Sequence, residues 1–274
     1  FTYHDPAGEK AGNNDFESQG IAYSVDKGRT WKKYENNPVL KSPGIRDFRD
    51  PKVSWVEEAG QWVMTLAVTD HIEFYGSPDL KTWRKLSEFG KNDGAHGGVW
   101  ECPDLFRMKD AEGKVKYVLL VSINPGGPNG GSGTQYFVGS FDGKRFTSDT
   151  PGKNAGWIDY GPDDYAGVTF ANVPATDGRN LFMGWMSNWL YAQVVPTETW
   201  RSATTVAREL ALQKSRSGYV LTSMPVSELN KLVTHTVSHP AATDIDTLQI
   251  FSAKDSTAIP MVIRGSVNRD RKST

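Results

Sequence analysis

The chain has 274 residues, with 31 Lys and Arg against 32 Asp and Glu and a formal net charge of −1. That length accommodates one large domain or two ordinary ones, and the charge balance argues against a nucleic acid or an anionic membrane as partner. A single cysteine, Cys102, excludes an intrachain disulfide and a thiolate metal cluster, and no apolar run approaches the ~18 residues of a membrane span. Nine Trp and ten Tyr are many for this length. Together with near-neutral charge they fit a ligand with apolar faces and hydroxyl edges, such as a sugar, although an aromatic-rich β core gives the same composition.

In chain order, the sequence opens on Phe1-Thr2-Tyr3, which reads as the middle of a strand, so the true N-terminus is expected upstream. From there nearly everything reads as short strands between turns. Gln61–Val68, Lys116–Ile123 and Asn180–Trp185 are β-branched and aromatic runs bounded by Gly, Pro, Asn and Asp. Helices are scarce, and the segment from Val226 to Leu232 reads as a short one. A repeat runs through this pattern. Ser24-Val25-Asp26 is followed by Gly28 and Trp31, Ser77-Pro78-Asp79 by Trp83, and Ser140-Phe141-Asp142 by Gly143 and Phe146. The Asp closes a turn onto the following backbone N–H groups, and the aromatic is expected to pack back into the sheet. The copies stand 53 and 63 residues apart, room for about four strands each. A recurring four-stranded unit is the signature of a β-propeller blade.

Two acids fall on the same period. Asp50, in Asp47-Phe48-Arg49-Asp50-Pro51, and Glu101, in Gly97-Gly98-Val99-Trp100-Glu101-Cys102-Pro103, lie 51 residues apart, each just before an apolar strand. A third equivalent place is Pro162-Asp163-Asp164-Tyr165. In a propeller the first strand of each blade lines the central channel, so acids at those strand mouths converge on one axial pocket. Glu101 beside Trp100 is expected to be shielded from bulk water, which raises a carboxyl pKa and suits a general acid. A pair of carboxyls of this kind points to glycoside hydrolysis: one protonates the leaving oxygen and the other stabilises the oxocarbenium-like transition state. Arg49 would keep Asp50 ionised and donate to sugar hydroxyls. Trp185 and Trp189 could stack on a sugar ring, with Trp189 the more exposed.

The remaining motifs carry less. The glycine-rich stretch from Asn124 to Gly133 has no Gly-Lys-Ser/Thr ending and no helix after it, so it reads as a pocket-rim loop and not as a nucleotide site. His4, His71 and His96 are isolated. His235 and His239 have helical spacing without the Glu that would complete a zinc motif. No metal and no cofactor are therefore expected. Residues 226–274 change texture to Ser/Thr-rich with a few alternating strands such as Thr247–Phe251, and are expected to be a linker and the start of a second β domain.

Taken together, Phe48-Arg49-Asp50-Pro51, Trp100-Glu101-Cys102-Pro103-Asp104, Ile21-Ala22-Tyr23-Ser24, Gly133–Gly139 and Gly184-Trp185-Met186-Ser187-Asn188-Trp189 resemble segments of glycoside hydrolase family 32, the invertase, inulinase and levanase group. The resemblance covers about residues 1–225 and is closest to the exo-acting branch. It implies an all-β protein, a five-bladed β-propeller followed by a β-sandwich. It implies secretion, and release of terminal β-linked fructose from inulin, levan or sucrose with retention. By the resemblance Glu101 would be the acid/base, Asp50 the transition-state stabiliser, and Arg49 and Trp189 would contact the fructose; Trp185 and Asp163, singled out above from the residues themselves, are expected to bind substrate with them. The Cys102 thiol is expected to tune Glu101.

One departure stands out. The family nucleophile is an Asp in a Trp-Met-Asn-Asp-Pro-Asn-Gly motif, and that motif is absent from this sequence. Asp5, in His4-Asp5-Pro6-Ala7-Gly8, is only 45 residues before Asp50, less than one blade period, and is rejected as its replacement. The expectation is an incomplete propeller with its first blade and most of the sandwich missing, of low activity by itself and prone to aggregate through open edges. A non-catalytic fructan-binding propeller and a fructosyltransferase are the alternatives.

Overall fold

A computed structural model describes residues 1–152 and 155–234. His235, His239 and the strand expected over Thr247–Phe251 lie outside the described residues. Phe1–Val226 forms one compact unit, and the chain divides after it, so that Ser227 begins a second. Of the second, the described part is a 3-10 turn over Ser227–Leu232, where a short helix is expected from the sequence.

The first unit is all-β apart from short helical turns. It begins with two small hairpins, β1 (Thr2–His4) with β2 (Glu17–Gln19) and β3 (Ala22–Tyr23) with β4 (Lys32–Lys33). The short helix α1 (Pro6–Lys10) lies between β1 and β2. A four-stranded antiparallel meander follows: β5 (Phe48–Val56), β6 (Gln61–Val68), β7 (His71–Ser77) and β8 (Arg84–Phe89). A second meander contains β9 (Val99–Lys109), β10 (Val115–Asn124), β11 (Gly133–Phe141) and β12 (Phe146–Ser148), with β13 (Gly156–Trp157) also paired to β11. A third contains β14 (Tyr165–Thr169), β15 (Asn180–Trp185), β16 (Arg208–Ser215) and β17 (Gly218–Pro225). The expected four-stranded unit is thus present three times. No sheet is closed on itself among the described residues.

Strand β10 shows why the three meanders stack. Its central run Val118-Leu119-Leu120-Val121 is apolar at every position because both faces are covered. Leu119, Val121 and Ile123 enter a core with Ile72, Phe74 and Phe137. Val118 and Leu120 enter the opposite core with Phe182, Leu210 and Leu221. Fully burying each such side chain stabilises the fold by about 1.5–3 kcal/mol relative to exposure, so one strand ties its sheet to the sheets on either side.

The Ser-x-Asp repeat forms the expected turns. Asp79 accepts from the N–H groups of Lys81 (2.9 Å) and Thr82 (2.7 Å), and Asp142 from those of Lys144 (2.8 Å) and Arg145 (2.7 Å). Asp26 closes the first copy onto Thr30 at 2.9 Å. The aromatics differ from the expectation. Phe146 is buried, but Trp31 is 64% exposed. In the first copy only the short β3–β4 hairpin lies beneath the turn, so the ring has no sheet to enter and its indole N–H donates to the Gly28 carbonyl at 3.0 Å.

Candidate active site

The first strands of the three meanders, β5, β9 and β14, lie side by side, β9 in the middle. Each breaks its ladder at the same place. The register shifts between Arg49 and Lys52 on β5, opposite Leu120–Ser122 on β9, and between Tyr165 and Val168 on β14. At each break one residue with a side chain takes a left-handed backbone: Asp50 (φ 60°), Cys102 (φ 46°) and Ala166 (φ 53°). Bulges of this kind twist a strand and re-aim its side chains, and for residues other than Gly such a conformation costs of order 1–3 kcal/mol. Three aligned bulges turn neighbouring side chains of three strands toward one another.

The result is a connected cluster. Arg49 Nη2 donates to Glu101 Oε1 at 2.9 Å. Its Nη1 donates to Asp47 Oδ1 at 2.5 Å and to Glu17 Oε2 at 3.4 Å. Burial works against the charge of Arg49, but the Asp47, Glu101 and Glu17 carboxylates more than offset it and hold the guanidinium protonated. The other oxygen of Glu101 accepts from the Tyr165 hydroxyl. Burial, and then the Glu101 carboxylate, keep the Tyr165 phenol protonated and thus a donor. Asp50 Oδ2 accepts from the Cys102 N–H at 3.0 Å and faces the thiol at 3.6 Å, while the Asp50 N–H donates to Thr2 Oγ1 at 3.0 Å. Burial pushes the Cys102 thiol up, as do the Asp50 and Glu101 carboxylates, so it stays a neutral donor.

Below this layer the same strands form a second one. Lys52 Nζ donates to the Thr169 carbonyl at 2.8 Å and stands 3.4 Å from Asp104 Oδ2. That oxygen also accepts from the Thr169 N–H (2.6 Å) and hydroxyl (2.8 Å). Asp104 is fully buried, and burial raises its pKa against the pull of Lys52 and Thr169.

On the β14–β15 side, the Tyr165 ring lies 6.3 Å from Trp185, and Trp185 lies 5.1 Å from Trp189. Trp189 is 47% exposed. A path of side chains therefore runs from Glu101 through Tyr165 and Trp185 to an open indole. Asn188, fully buried, fixes that end. Its Oδ1 accepts from the N–H groups of Ser132 (3.2 Å) and Leu190 (2.9 Å), and its amide donates to the Ser132 (3.3 Å) and Pro162 (2.6 Å) carbonyls. The glycine-rich loop before β11 is thereby latched to the tryptophans. On β9's approach, Gly98 is required: a Cβ there would lie 1.9 Å from the Pro125 carbonyl oxygen.

Arg49 meets Glu101, and Trp185 approaches that pair through Tyr165. Asp50 instead meets Cys102 and makes no hydrogen bond or ion pair with Arg49 or Glu101 among the described residues, so the expected Arg49–Asp50 pair is not formed; Arg49 turns to Asp47, Glu17 and Glu101. Three further details differ from the sequence reading. Trp100 does not shield Glu101. Adjacent strand residues face opposite sides, and Trp100 is fully buried in the core, with its ring stacked on His96 at 5.3 Å. The Cys102 thiol contacts Asp50, not Glu101. Asp163 makes no hydrogen bond or ion pair with Arg49, Asp50 or Glu101; the charge beside it is that of Asp159. β14 instead contributes Tyr165, because its bulge follows that residue. Asp5 caps α1, accepting from the Ala7 N–H at 3.1 Å, and no contact joins it to Asp50 or Glu101. Sequence reasoning missed the roles of Tyr165 and Glu17, and it placed Asn188 in the Gly184–Trp189 segment without giving it a role. Tyr165 stood one residue beyond the acids singled out there, but Glu17 carried no spacing signal.

Two carboxyls on adjacent strands, an arginine between their neighbours and an open indole make the class of site found in carbohydrate-active proteins. Residues 1–225 match the glycosyl hydrolases family 32 N-terminal domain. The levanase of Bacillus subtilis (strain 168) is 52% identical over 216 residues, which are 78% of this chain and 32% of the levanase. The extracellular exo-inulinase inuE of Aspergillus niger is 42% identical over 237 residues, 80% of this chain and 43% of that protein. Among solved structures, the exo-inulinase from Aspergillus awamori superposes with a TM-score of 0.71 at 40% identity, over 76% of this chain and 43% of that one. A beta-fructofuranosidase from Schwanniomyces occidentalis complexed with fructosyl-erythritol also gives 0.71 at 40% identity, over 78% and 41%. The chain belongs to glycoside hydrolase family 32. It spans 32–43% of the length of these relatives.

Proposed function

We propose that this chain is part of the catalytic propeller of a secreted, exo-acting β-fructosidase that hydrolyses terminal β-linked fructose from inulin, levan or sucrose. The observation that carries the reading is the Arg49–Glu101 and Asp50–Cys102 pairing across β5 and β9, in a chain of this family. Glu101 is the acid/base, Asp50 stabilises the oxocarbenium-like transition state, and Arg49 binds fructose hydroxyls. Trp189 and Trp185 form the stacking wall, with Asp163 at its edge.

The reaction is retaining, with a carboxylate nucleophile about 5–5.5 Å from the acid/base carboxyl. No Trp-Met-Asn-Asp-Pro-Asn-Gly motif occurs in the 274 residues. The chain by itself is therefore expected to release little fructose, since loss of a covalent nucleophile costs several powers of ten in rate. The test is sugar release from sucrose, inulin and levan at pH 5–6, with Glu101→Gln as control. No release from the chain alone, and release once a nucleophile-bearing N-terminal segment of the levanase type is joined to it, supports the reading. Release from the chain alone that disappears in the control would return Asp5 to consideration as nucleophile. Fructan binding without release, even from the extended chain, would favour a non-catalytic fructan-binding protein, and fructose transfer to sugar in place of water a fructosyltransferase.

A further inference from the structure

At the opposite end of β5 from Asp50, the strand presents Trp55 to solvent, 47% exposed. Five residues of strand separate the two, and six separate Glu101 from Arg107 on β9. At ~3.3 Å per residue this places the two ends about 15–20 Å apart. A groove of about 320 Å³ lies there, lined among others by Trp55, Glu57, Glu58, Arg107, Tyr117 and Asn180. Ligand clefts run from ~300 Å³ upward, so the groove has room for one or two sugar rings.

Its walls are fixed. The Trp55 indole N–H donates to Glu57 Oε2 at 2.6 Å, and the ring meets Trp62 edge-on at 5.4 Å. Glu58 accepts from the Tyr117 hydroxyl at 3.2 Å and pairs with Arg107 Nε at 3.4 Å. The 3-10 turn Glu57–Ala59 that carries both acids is closed by Gly60 at φ 56°. It is braced by the neighbouring meander, where Gln61 Nε2 donates to the Gly143 carbonyl at 3.1 Å. Against these fixed groups, the Arg107 Nη atoms and the Asn180 side-chain amide make no hydrogen bond among the described residues. A pinned, half-open indole facing unengaged planar donors matches a neutral sugar: apolar C–H face on the ring, hydroxyls on the guanidinium and amide. Two carboxylates beside one guanidinium disfavour an anion.

We propose that this groove is a second carbohydrate-binding site, remote from the acid cluster, that holds a neutral furanose or pyranose unit of a polymer. The choice of a fructan as that polymer rests on the proposed function; the groove itself requires only a neutral sugar. The test is ¹⁹F NMR of the full chain labelled with 5-fluorotryptophan, whose nine Trp give separate resonances. Trp55, Trp185 and Trp189 are assigned by single Phe replacements. Fructo-oligosaccharides are titrated first and malto-oligosaccharides second. The Trp55 resonance is expected to shift with a Kd in the millimolar range, unchanged in Trp189→Ala and weakened about 10-fold in Arg107→Gln, a variant whose fold is checked by circular dichroism. A Trp55 resonance that no glycan moves overturns the second site, whatever happens at Trp189. Movement at Trp55 with malto- but not fructo-oligosaccharides keeps the site and counts against the fructan reading. Movement confined to Trp185 and Trp189 keeps the fructan reading and removes this one.

Discussion

At the scale of single residues, the phenol of Tyr165 and the guanidinium of Arg49 grip the two oxygens of Glu101 from different strands. A carboxyl held at both ends has one orientation, which is what proton transfer needs. In the chain joined to a nucleophile-bearing segment, Tyr165→Phe should lower kcat about 10–100-fold with KM nearly unchanged, because the ring packing on Trp185 survives and only the hydrogen bond is lost. A KM change without a kcat change would show that Tyr165 binds sugar instead. Asp164, one residue earlier, is 3% exposed, and neither of its carboxylate oxygens accepts a hydrogen bond among the described residues. Burial raises its pKa to about 6; Arg208, at 3.7 Å, works the other way, and the Asp159 and Asp163 charges add to the rise. The folded state then holds a proton that the unfolded chain has released, so this group's contribution to stability is present at pH 4 and is lost as pH rises through 6. Asp164→Asn should flatten that slope and gain on the order of 2 kcal/mol over the parent between pH 4 and 8. Urea midpoints across that range check it, and parallel curves for the two proteins would overturn it.

At the scale of elements, bulges and latches decide where the functional groups point. The glycine-rich loop before β11 and the Trp185–Trp189 segment are joined at Ser132, through the buried Asn188 amide, two of whose four hydrogen bonds go to the Ser132 backbone, and through the Trp189 N–H, which donates to Ser132 Oγ at 3.1 Å. Removing the Asn188 amide leaves buried backbone groups unpaired, each costing about 1–3 kcal/mol where water cannot replace the amide. Asn188→Ala is therefore expected to lower stability by about 2–4 kcal/mol in urea melts. It should also raise acrylamide quenching of tryptophan emission as Trp189 loses its support. Unchanged quenching with lowered stability would mean that the latch supports the fold alone. The three bulges belong to this scale as well. They let strands that are otherwise core material turn Arg49, Glu101 and Tyr165 toward one another.

Across the whole molecule, three meanders are joined by apolar cores between their faces and by the Lys52, Asp104 and Thr169 network along their first strands. Breaking one partner of a buried ion pair typically costs 3–5 kcal/mol, because the other charge is left uncompensated. Lys52→Met should lower stability by about that amount, and Lys52→Met with Asp104→Leu should recover much of it. If the double variant is no better than the single one, the network's hydrogen bonds to Thr169 matter more than its charges. A drop well under 1 kcal/mol for Lys52→Met would mean that solvent already screens the pair.

The sequence by itself determined the all-β class, the four-stranded period, the Asp-closed turns and the placement of Asp50 and Glu101 on that period. These follow from local chemistry: alternating and apolar runs make strands, Asp and Gly close turns, and a repeated unit repeats its residues. Only the tertiary structure decided what the acids touch. The left-handed residues Asp50, Cys102 and Ala166 are not glycines, so nothing in the sequence betrays their bulges; taking neighbours in sequence for neighbours in space gave the wrong partner for Cys102 and put Trp100 against Glu101, which strand alternation separates. Glu17 and Arg49 are 32 residues apart, Glu101 and Tyr165 are 64 apart, and Asn188 and Ser132 are 56 apart. Such pairs have no spacing rule, because their distance is set by the stacking of sheets, and that stacking is fixed by side-chain packing on both faces of strands such as β10.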